Sequence, residues 1–245
     1  LEGHKRCYAS DQECFYGESM LCSNSRQHVV IKSTSIQKVR TIVSNSCPTY
    51  NQSYSSQTHF SAALVQYWNV DVPQNPIISK IPTHVAKPGR SIVGVIGFAV
   101  NGVPFYGPLD DFSETGKWSE HDDVYDICNG HVDSLGIYHY HGNPVCLYGS
   151  DLSRHSPVVG FMLDGVPVYG PLDVGGLRAS ELTGAARLDE CGGHADEEHG
   201  FYHYHVGQES THIVSCLRGC LQAHIHNGSN INTKSINPCI SERVQ

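Results

Sequence analysis

The chain has 245 residues, 39% of them hydrophobic, and its formal net charge is −8. This length suits one large domain or two closely packed halves, and the apolar content is sufficient for a core. The negative charge argues against nucleic-acid binding, and no apolar run approaches the roughly 20 residues that span a bilayer. We therefore expect a protein with neither a nucleic-acid partner nor a membrane span.

The cysteine content indicates a disulfide-stapled protein of the extracellular environment. There are ten cysteines, an even number, and none shows the tight paired spacing of a zinc ribbon. Two Asn-x-Ser triplets make Asn51 and Asn227 candidate glycosylation sites. We expect the protein to be secreted.

Residues 1–75 are predicted to form a cysteine-containing N-terminal segment with short strands. Two β-branched runs, at 28–32 and 38–43, are typical of strands. Four prolines between positions 73 and 88 exclude a central strand there and predict an extended connector. Four cysteines of this segment are predicted to pair among themselves: Cys7, Cys14, Cys22 and Cys47.

An internal duplication follows the N-terminal segment. Gly-Ile-Tyr-His-Tyr-His at 136–141 returns as Gly-Phe-Tyr-His-Tyr-His at 200–205. An Asp-x-Cys-x-Gly-His block precedes each copy, and an Asn/Asp-Gly-Val-Pro-x-Tyr-Gly-Pro-Leu-Asp block lies further upstream of each. The common order predicts two repeats, at 76–155 and 156–219, followed by a C-terminal tail at 220–245.

Each repeat is predicted to open with a buried strand, because the runs at 92–100 and 158–163 are almost continuously apolar. Asn101-Gly102 and Asp164-Gly165 favour a two-residue hairpin turn, in which both central residues have positive φ. A return strand and the Tyr-His-Tyr-His strand complete the unit. The predicted fold is mainly β, with two pseudo-symmetric repeats of short strands and hairpins that share one core and are stapled by disulfides.

The repeated histidines are the candidate metal ligands. Alternate side chains of a strand point to one face, so the two histidines of each Tyr-His-Tyr-His block project together. Such a pair is a platform for zinc or copper that needs a third ligand, and the Gly-His upstream offers one, since glycine permits a turn that aims the imidazole back. The predicted ligands are His131, His139 and His141 in the first repeat and His194, His203 and His205 in the second.

Residues beside these histidines are candidates for supporting roles. Aspartates are predicted to accept the second ring N–H of a ligating histidine, and tyrosines to pack and to hydrogen-bond on the opposite face. Asp110 and Asp173 are interpreted as turn residues, with a catalytic role left open. The supporting candidates are Asp126, Asp133, Asp189, Asp196, Tyr138, Tyr140, Tyr202 and Tyr204.

The remaining histidines carry less information. His155 and other histidines outside the motifs are interpreted as surface or core residues. His224-Ile225-His226 repeats the His-x-His spacing without the tyrosines, and we interpret it as part of a solvated tail.

The cysteines of the repeats have two interpretations. Cys128 and Cys191 are either thiolate ligands or members of disulfides. Because each repeat has another cysteine after its Tyr-His-Tyr-His block, we favour disulfides. The predicted pairs are Cys128–Cys146, Cys191–Cys216 and Cys220–Cys239.

The two Tyr-His-Tyr-His blocks, with the Asn/Asp-Gly-Val-Pro-x-Tyr-Gly-Pro and Asp-x-Cys-x-Gly-His blocks, resemble the YHYH-domain family of largely extracellular proteins. The resemblance extends from about Pro76 to Gly219 and implies a metal role for the same histidines.

Two arrangements of the six histidines are open. Either each repeat binds its own ion, or all six converge on a cavity between the halves. Because pseudo-twofold packing would pair equivalent strands at the interface, we expect the shared cavity.

The expected function is that of a secreted metal-dependent enzyme with a histidine-ligated zinc or copper ion. Zinc would give hydrolase or lyase chemistry, and copper an oxidoreductase. The alternatives are an extracellular metal-binding or matrix protein without turnover, and a structural protein without metal. The sequence does not specify the catalytic residues, the reaction or the extracellular or small-molecule substrate.

Overall fold

A computed structural model describes residues 6–7, 14–15, 21–49, 62–85, 94–107, 125–133, 135–149, 153–207, 212–221 and 224–225. In these ranges the chain forms short strands and single 3₁₀ turns, so the prediction of a mainly β protein is confirmed. The strands are β1 (Arg6–Cys7), β2 (Cys14–Phe15), β3 (Val29–Thr34), β4 (Val39–Ser44), β5 (Trp68–Pro73), β6 (Ile78–His84), β7 (Val95–Ala99), β8 (Pro104–Tyr106), β9 (Gly130–Val132), β10 (Tyr138–Tyr140), β11 (Val158–Met162), β12 (Pro167–Tyr169), β13 (Gly193–Ala195), β14 (Tyr202–His205), β15 (Cys216–Gly219) and β16 (His224–Ile225). The 3₁₀ turns are Cys22–Asn24, Val145–Leu147, Val174–Gly176, Ala179–Glu181 and Gly184–Ala186.

The N-terminal strands form a four-stranded sheet in the order β16-β5-β4-β3. β3 and β4 are the two β-branched runs, and they form an antiparallel hairpin. Trp68, Val70 and Val72 alternate along β5 and are buried, which is the period of a strand with one face on the core. β16 pairs with β5, so the interpretation of 224–226 as a solvated tail was wrong for its first two residues.

The proline-rich connector is in part a strand. β6 contains Pro82 and pairs antiparallel with β15 in a two-stranded sheet. Proline is tolerated because β6 has one neighbouring strand among the described residues, so one of its edges needs no N–H donor. The proline content therefore excluded a central strand correctly but did not reveal this edge strand.

The two repeats share an eight-stranded sheet in the order β13-β14-β12-β11-β7-β8-β10-β9. At its centre β7 and β11 run antiparallel, with Phe98 opposite Phe161. On each side follow the hairpin strand (β8 or β12), the Tyr-His-Tyr-His strand parallel to it (β10 or β14), and the Gly-His strand (β9 or β13). The strand order is thus the same in both halves, and superposition of their histidines stays a prediction.

The turns at Asn101-Gly102 and Asp164-Gly165 differ from the predicted type. Only the glycines have positive φ, at 83° each. The N–H of Gly102 donates to the Ala99 carbonyl, which places Asn101 at an ordinary turn position and the glycine in the left-handed region after it. The side chains of Asn101 and Asp164 accept the N–H two residues on, and this local bond favours the observed turn.

The predicted disulfides of the repeats are present. Cys128 bonds Cys146 and Cys191 bonds Cys216, so the thiolate-ligand interpretation was wrong. Cys22 bonds Cys47 in the N-terminal segment. Cys239 and the candidate glycosylation sites Asn51 and Asn227 lie outside the described residues, as does Asp110.

None of the helical segments in the described part of the chain is long and apolar enough to cross a membrane.

Candidate metal centres

The first cluster consists of His131, His139 and His141. β9 and β10 pair so that His131 lies directly opposite His139, and His141 follows two residues later on the same face. The Nε2 atom of His139 lies 2.8 Å from that of His131 and 2.9 Å from that of His141. Three imidazole nitrogens therefore converge on one point.

Backbone carbonyls orient two of these rings. The Nδ1–H of His139 donates to the Ile137 carbonyl at 2.9 Å, and that of His141 to the Gly107 carbonyl at 2.8 Å. These bonds place the ring proton on Nδ1, so that Nε2 carries the lone pair through which a metal would be bound. The expectation that aspartates accept these ring protons was wrong for His139 and His141, because backbone carbonyls accept them.

The environment keeps His139 neutral, as a metal ligand must be. Burial lowers the pKa of His139 well below its usual value, and the neighbouring His141 and His131 lower it further. The ring of Tyr106 stacks on His139, with centroids 3.9 Å apart and planes inclined by 17°.

The second cluster consists of His194, His203 and His205. His194 lies opposite His203 across β13 and β14, and the Nε2 atoms of His203 and His205 are 3.2 Å apart. The three Nδ1 atoms lie 2.7–3.1 Å from the carbonyl oxygens of Ala186, Phe201 and Gly170. Burial lowers the pKa of His203 to about 4 and that of His205 to about 3.

Four further side chains reach the second cluster: His155, Asp173, Asp196 and His199. Asp196 Oδ2 lies 3.5 Å from the Nε2 atoms of both His155 and His203. Asp173 Oδ2 lies 3.6 Å from His194 Nε2. Interpreting His155 as an ordinary histidine missed this placement, and nothing in the local sequence signals it because His155 precedes β11 rather than lying in a motif.

Two other predicted aspartates form hydrogen bonds with tyrosines and with turn N–H groups, not with histidines. Asp126 accepts the Tyr138 hydroxyl at 2.7 Å, and Asp189 accepts the Tyr202 hydroxyl at 2.9 Å. The same carboxylates bind the N–H groups of the turn that carries the next cysteine and Gly-His. They thereby position the strands that carry the histidines.

The tyrosines of the two blocks lie on the opposite face, as predicted. Tyr140 and Tyr204 are fully buried. Tyr140 receives a hydrogen bond from Asn101, and Tyr204 donates one to Asp164 at 2.7 Å. Tyr204 also accepts the N–H of Arg218, which fastens β15 to the second repeat.

The six histidines do not share a cavity. Among the described residues, potential ligand atoms form groups only within each half. Four strands lie between β10 and β14 in the sheet, so five spacings of about 4.8 Å separate the clusters by roughly 24 Å. The shared arrangement was therefore wrong, because the halves meet through β7 and β11 and not through the histidine strands.

Comparison with known families supports the family resemblance that the repeated motifs indicate. A family model described as YHYH protein matches residues 69–176. The match confirms the predicted resemblance, although it begins before Pro76 and ends before the second Tyr-His-Tyr-His block. No curated protein and no solved structure matches the chain.

Proposed function

We propose that each half of this protein binds a zinc or copper ion through its three histidines and leaves one coordination position open. In this proposal the protein is a secreted metal-dependent enzyme. The ligands are His131, His139 and His141 in the first cluster and His194, His203 and His205 in the second.

The observation that carries the proposal is the convergence of histidine Nε2 atoms that carry lone pairs. His139 and His141 donate their Nδ1 protons to carbonyls, yet their Nε2 atoms lie only 2.9 Å apart. Two lone pairs repel each other at this distance unless a cation lies between them. An ion with metal–nitrogen bonds of about 2.0–2.1 Å would widen the spacing to about 3.3 Å.

The donor type selects the metal. Imidazole suits zinc and copper, whereas calcium and magnesium require oxygen ligands. Three protein ligands with a fourth position for water or substrate are the pattern of catalytic rather than structural zinc sites. Zinc held in this way lowers the pKa of its water and polarises carbonyl groups, while copper supplies one-electron chemistry.

The burial of the ligands favours a second candidate, a metal-binding protein without turnover. His139 and His203 are 1% and 0% exposed, and Tyr106 covers the ring of His139. An ion enclosed in this way would be retained without exchanging its fourth ligand.

Cobalt(II) spectroscopy separates the two candidates. The chelator-stripped protein, with its disulfides intact, is loaded with cobalt(II) and titrated with azide. We expect the visible bands of four-coordinate cobalt and a shift on azide binding, which reports an open position. Bands that azide does not move would favour binding without turnover. Absence of bound cobalt, together with no zinc or copper uptake, would contradict both.

A further inference from the structure

The second half contains a ligand set that the described residues of the first half lack. Besides its three histidines, two more imidazoles and two carboxylates lie within reach of the same space: His155, His199, Asp173 and Asp196. Four potential ligand atoms, from His155, Asp196, His199 and His203, lie within 4.8 Å of one another. Since His203 Nε2 already points at its own cluster, the other three form the core of a separate group.

One ring nitrogen of His155, Nε2, is buried without a hydrogen bond. Its side chain is 5% exposed, and its Nδ1 lies 2.7 Å from the Ser156 carbonyl oxygen. A buried polar atom without a partner, such as this Nε2, is costly unless something binds it.

The separations around His155 fit a coordinated ion better than an ion pair. Its Nε2 atom lies 3.5 Å from Asp196 Oδ2 and 3.9 Å from Asp173 Oδ1. A direct imidazolium–carboxylate bond measures about 2.7–2.9 Å. Two ligand atoms of a tetrahedral metal with bonds of about 2.0–2.2 Å lie about 3.3–3.6 Å apart.

The charges point the same way. Asp173 and Asp196 are 5% and 8% exposed, and in the described part of the chain their ion-pair partners are all imidazoles. Ligand oxygens of Asp173 and Asp196 lie within 4.8 Å of each other. A cation beside two buried carboxylates this close would offset their mutual repulsion. Asp173 lies near both His155 and His194, which places it between the two groups.

The first half shows what the simpler site looks like. Leu135, not a histidine, precedes the glycine of its motif, whereas His199 precedes Gly200. Asp133, the counterpart of Asp196, accepts the Tyr106 hydroxyl and the N–H groups of Leu135 and Ile137. The carboxylate of Asp196 also accepts a turn N–H, that of His199, and it accepts the His199 Nδ1–H at 3.0 Å. Unlike Asp133, it lies 3.5 Å from the Nε2 atoms of two further histidines, His155 and His203.

We propose that the second half binds two transition-metal ions, whereas the described residues of the first half hold one. The additional ion is held by His155, Asp196 and one ring nitrogen of His199, and Asp173 lies between it and the ion of the second cluster. Paired ions about 3.5–4 Å apart, with carboxylates between them, form the sites that clamp two substrate oxygens at once. This inference rests on the proposed metal binding of the second cluster.

Copper(II) alone is the probe. The full chain with intact disulfides is stripped, equilibrated with copper(II) and dialysed, and bound copper is counted by mass spectrometry. Electron paramagnetic resonance then counts unpaired spins. We expect three ions in the wild type but only about one spin, because two adjacent copper(II) ions couple and lose their ordinary signal.

The variant His199→Leu introduces the residue that the first half has. It should bind two copper ions and show two spins, because the remaining ions are far apart. Asp196→Asn, which keeps the shape of the side chain, should lose the same ion. His28→Gln is the matched control, since His28 is exposed and belongs to none of these groups, and it should behave as the wild type. Circular dichroism checks that each variant is folded.

Two results would overturn the inference. If the wild type and His199→Leu both bind two ions, the trihistidine sites account for all the bound copper and the additional site does not exist. Three ions in both, with unchanged spin counts, would place the third ion elsewhere. A wild type that binds neither copper nor zinc would instead refute the proposed function itself.

Discussion

Gly130 lies against the hydroxyl of Tyr138 so closely that a Cβ atom built on this glycine would overlap the phenol oxygen. Gly193 and Tyr202 have the same relationship in the second half. Neither glycine has positive φ, so the expectation that glycine serves a tight turn at these positions was wrong. The residue before each Gly-His histidine must be glycine because the tyrosine of the facing strand occupies the space of a side chain.

This contact predicts the effect of a single methyl group. We expect Gly193→Ala to lower the free energy of unfolding by about 1–3 kcal/mol, because Tyr202 and its bond to Asp189 must move. It should also weaken metal binding in the second half while leaving the first half unaffected. Gly149→Ala is the matched control, since nothing lies within 4 Å of a Cβ there. Urea unfolding and metal titration measure both effects, and equal stability of the two variants would contradict the overlap.

The separation of the clusters predicts that they bind metal independently. His139→Ala/His141→Ala should lose the metal of the first half and retain that of the second, and His203→Ala/His205→Ala should do the reverse. Sites more than about 10 Å apart without shared partners contribute additively. Metal content of the dialysed variants tests this. Loss of all metal from either variant would restore the shared cavity.

The disulfide between Cys191 and Cys216 links the second Gly-His turn to β15 across a sequence separation of 25 residues. Replacing both cysteines by serine should lower the free energy of unfolding by about 3 kcal/mol, because the unfolded chain gains the entropy of the opened loop. The Cys128–Cys146 pair spans 18 residues, and its removal should cost slightly less. Urea unfolding of the metal-free proteins compares them; a larger loss for the shorter loop would contradict loop entropy as the main cause.

The same bonds predict the result of thiol titration. Under denaturing, non-reducing conditions no cysteine of these three disulfides should react: Cys22, Cys47, Cys128, Cys146, Cys191 and Cys216. Reactive thiols mapped to Cys128 and Cys191 would instead support their role as ligands.

Asp164 predicts a pH dependence of stability. Burial raises the pKa of this carboxyl from 3.8 to about 6, against the hydrogen bonds from Tyr204, Val166 and Gly219 that lower it. The folded protein therefore binds more protons than the unfolded chain between about pH 4 and pH 6. The contribution of Asp164 to stability is present at low pH and is lost as the pH rises through 6, a change of about 3 kcal/mol.

Asp164→Asn isolates this contribution. Asn101 occupies the corresponding turn of the first half and hydrogen-bonds its tyrosine without a charge. The variant leaves the Gly219 N–H without its acceptor. Its free energy of unfolding should therefore be lower than that of the wild type at low pH, and the difference should narrow as the pH rises to 6. Unfolding of the metal-free proteins at several pH values measures the margin, and a margin that widened toward pH 6 would contradict the raised pKa.

Local patterns were sufficient for much of the fold and for the central ligands. The spacing of His139 and His141 places both on one strand face whatever surrounds the strand, and repetition of Gly-His identified His131 and His194. The same repetition paired Cys128 with Cys146 and Cys191 with Cys216. These features could be predicted because a strand has period two and because a duplicated unit repeats its contacts.

Only the tertiary structure decided how the clusters are separated and completed. The halves are joined by the pairing of β7 with β11, a long-range contact that leaves no periodic signal in the sequence. This pairing places the histidine strands β10 and β14 toward opposite edges of the sheet. His155 reaches the second cluster from outside any motif, and Asp173 reaches it from the turn after β12. The sequence by itself therefore determined which imidazoles share a strand face, because that is local geometry. Packing of distant segments decided which other side chains join them.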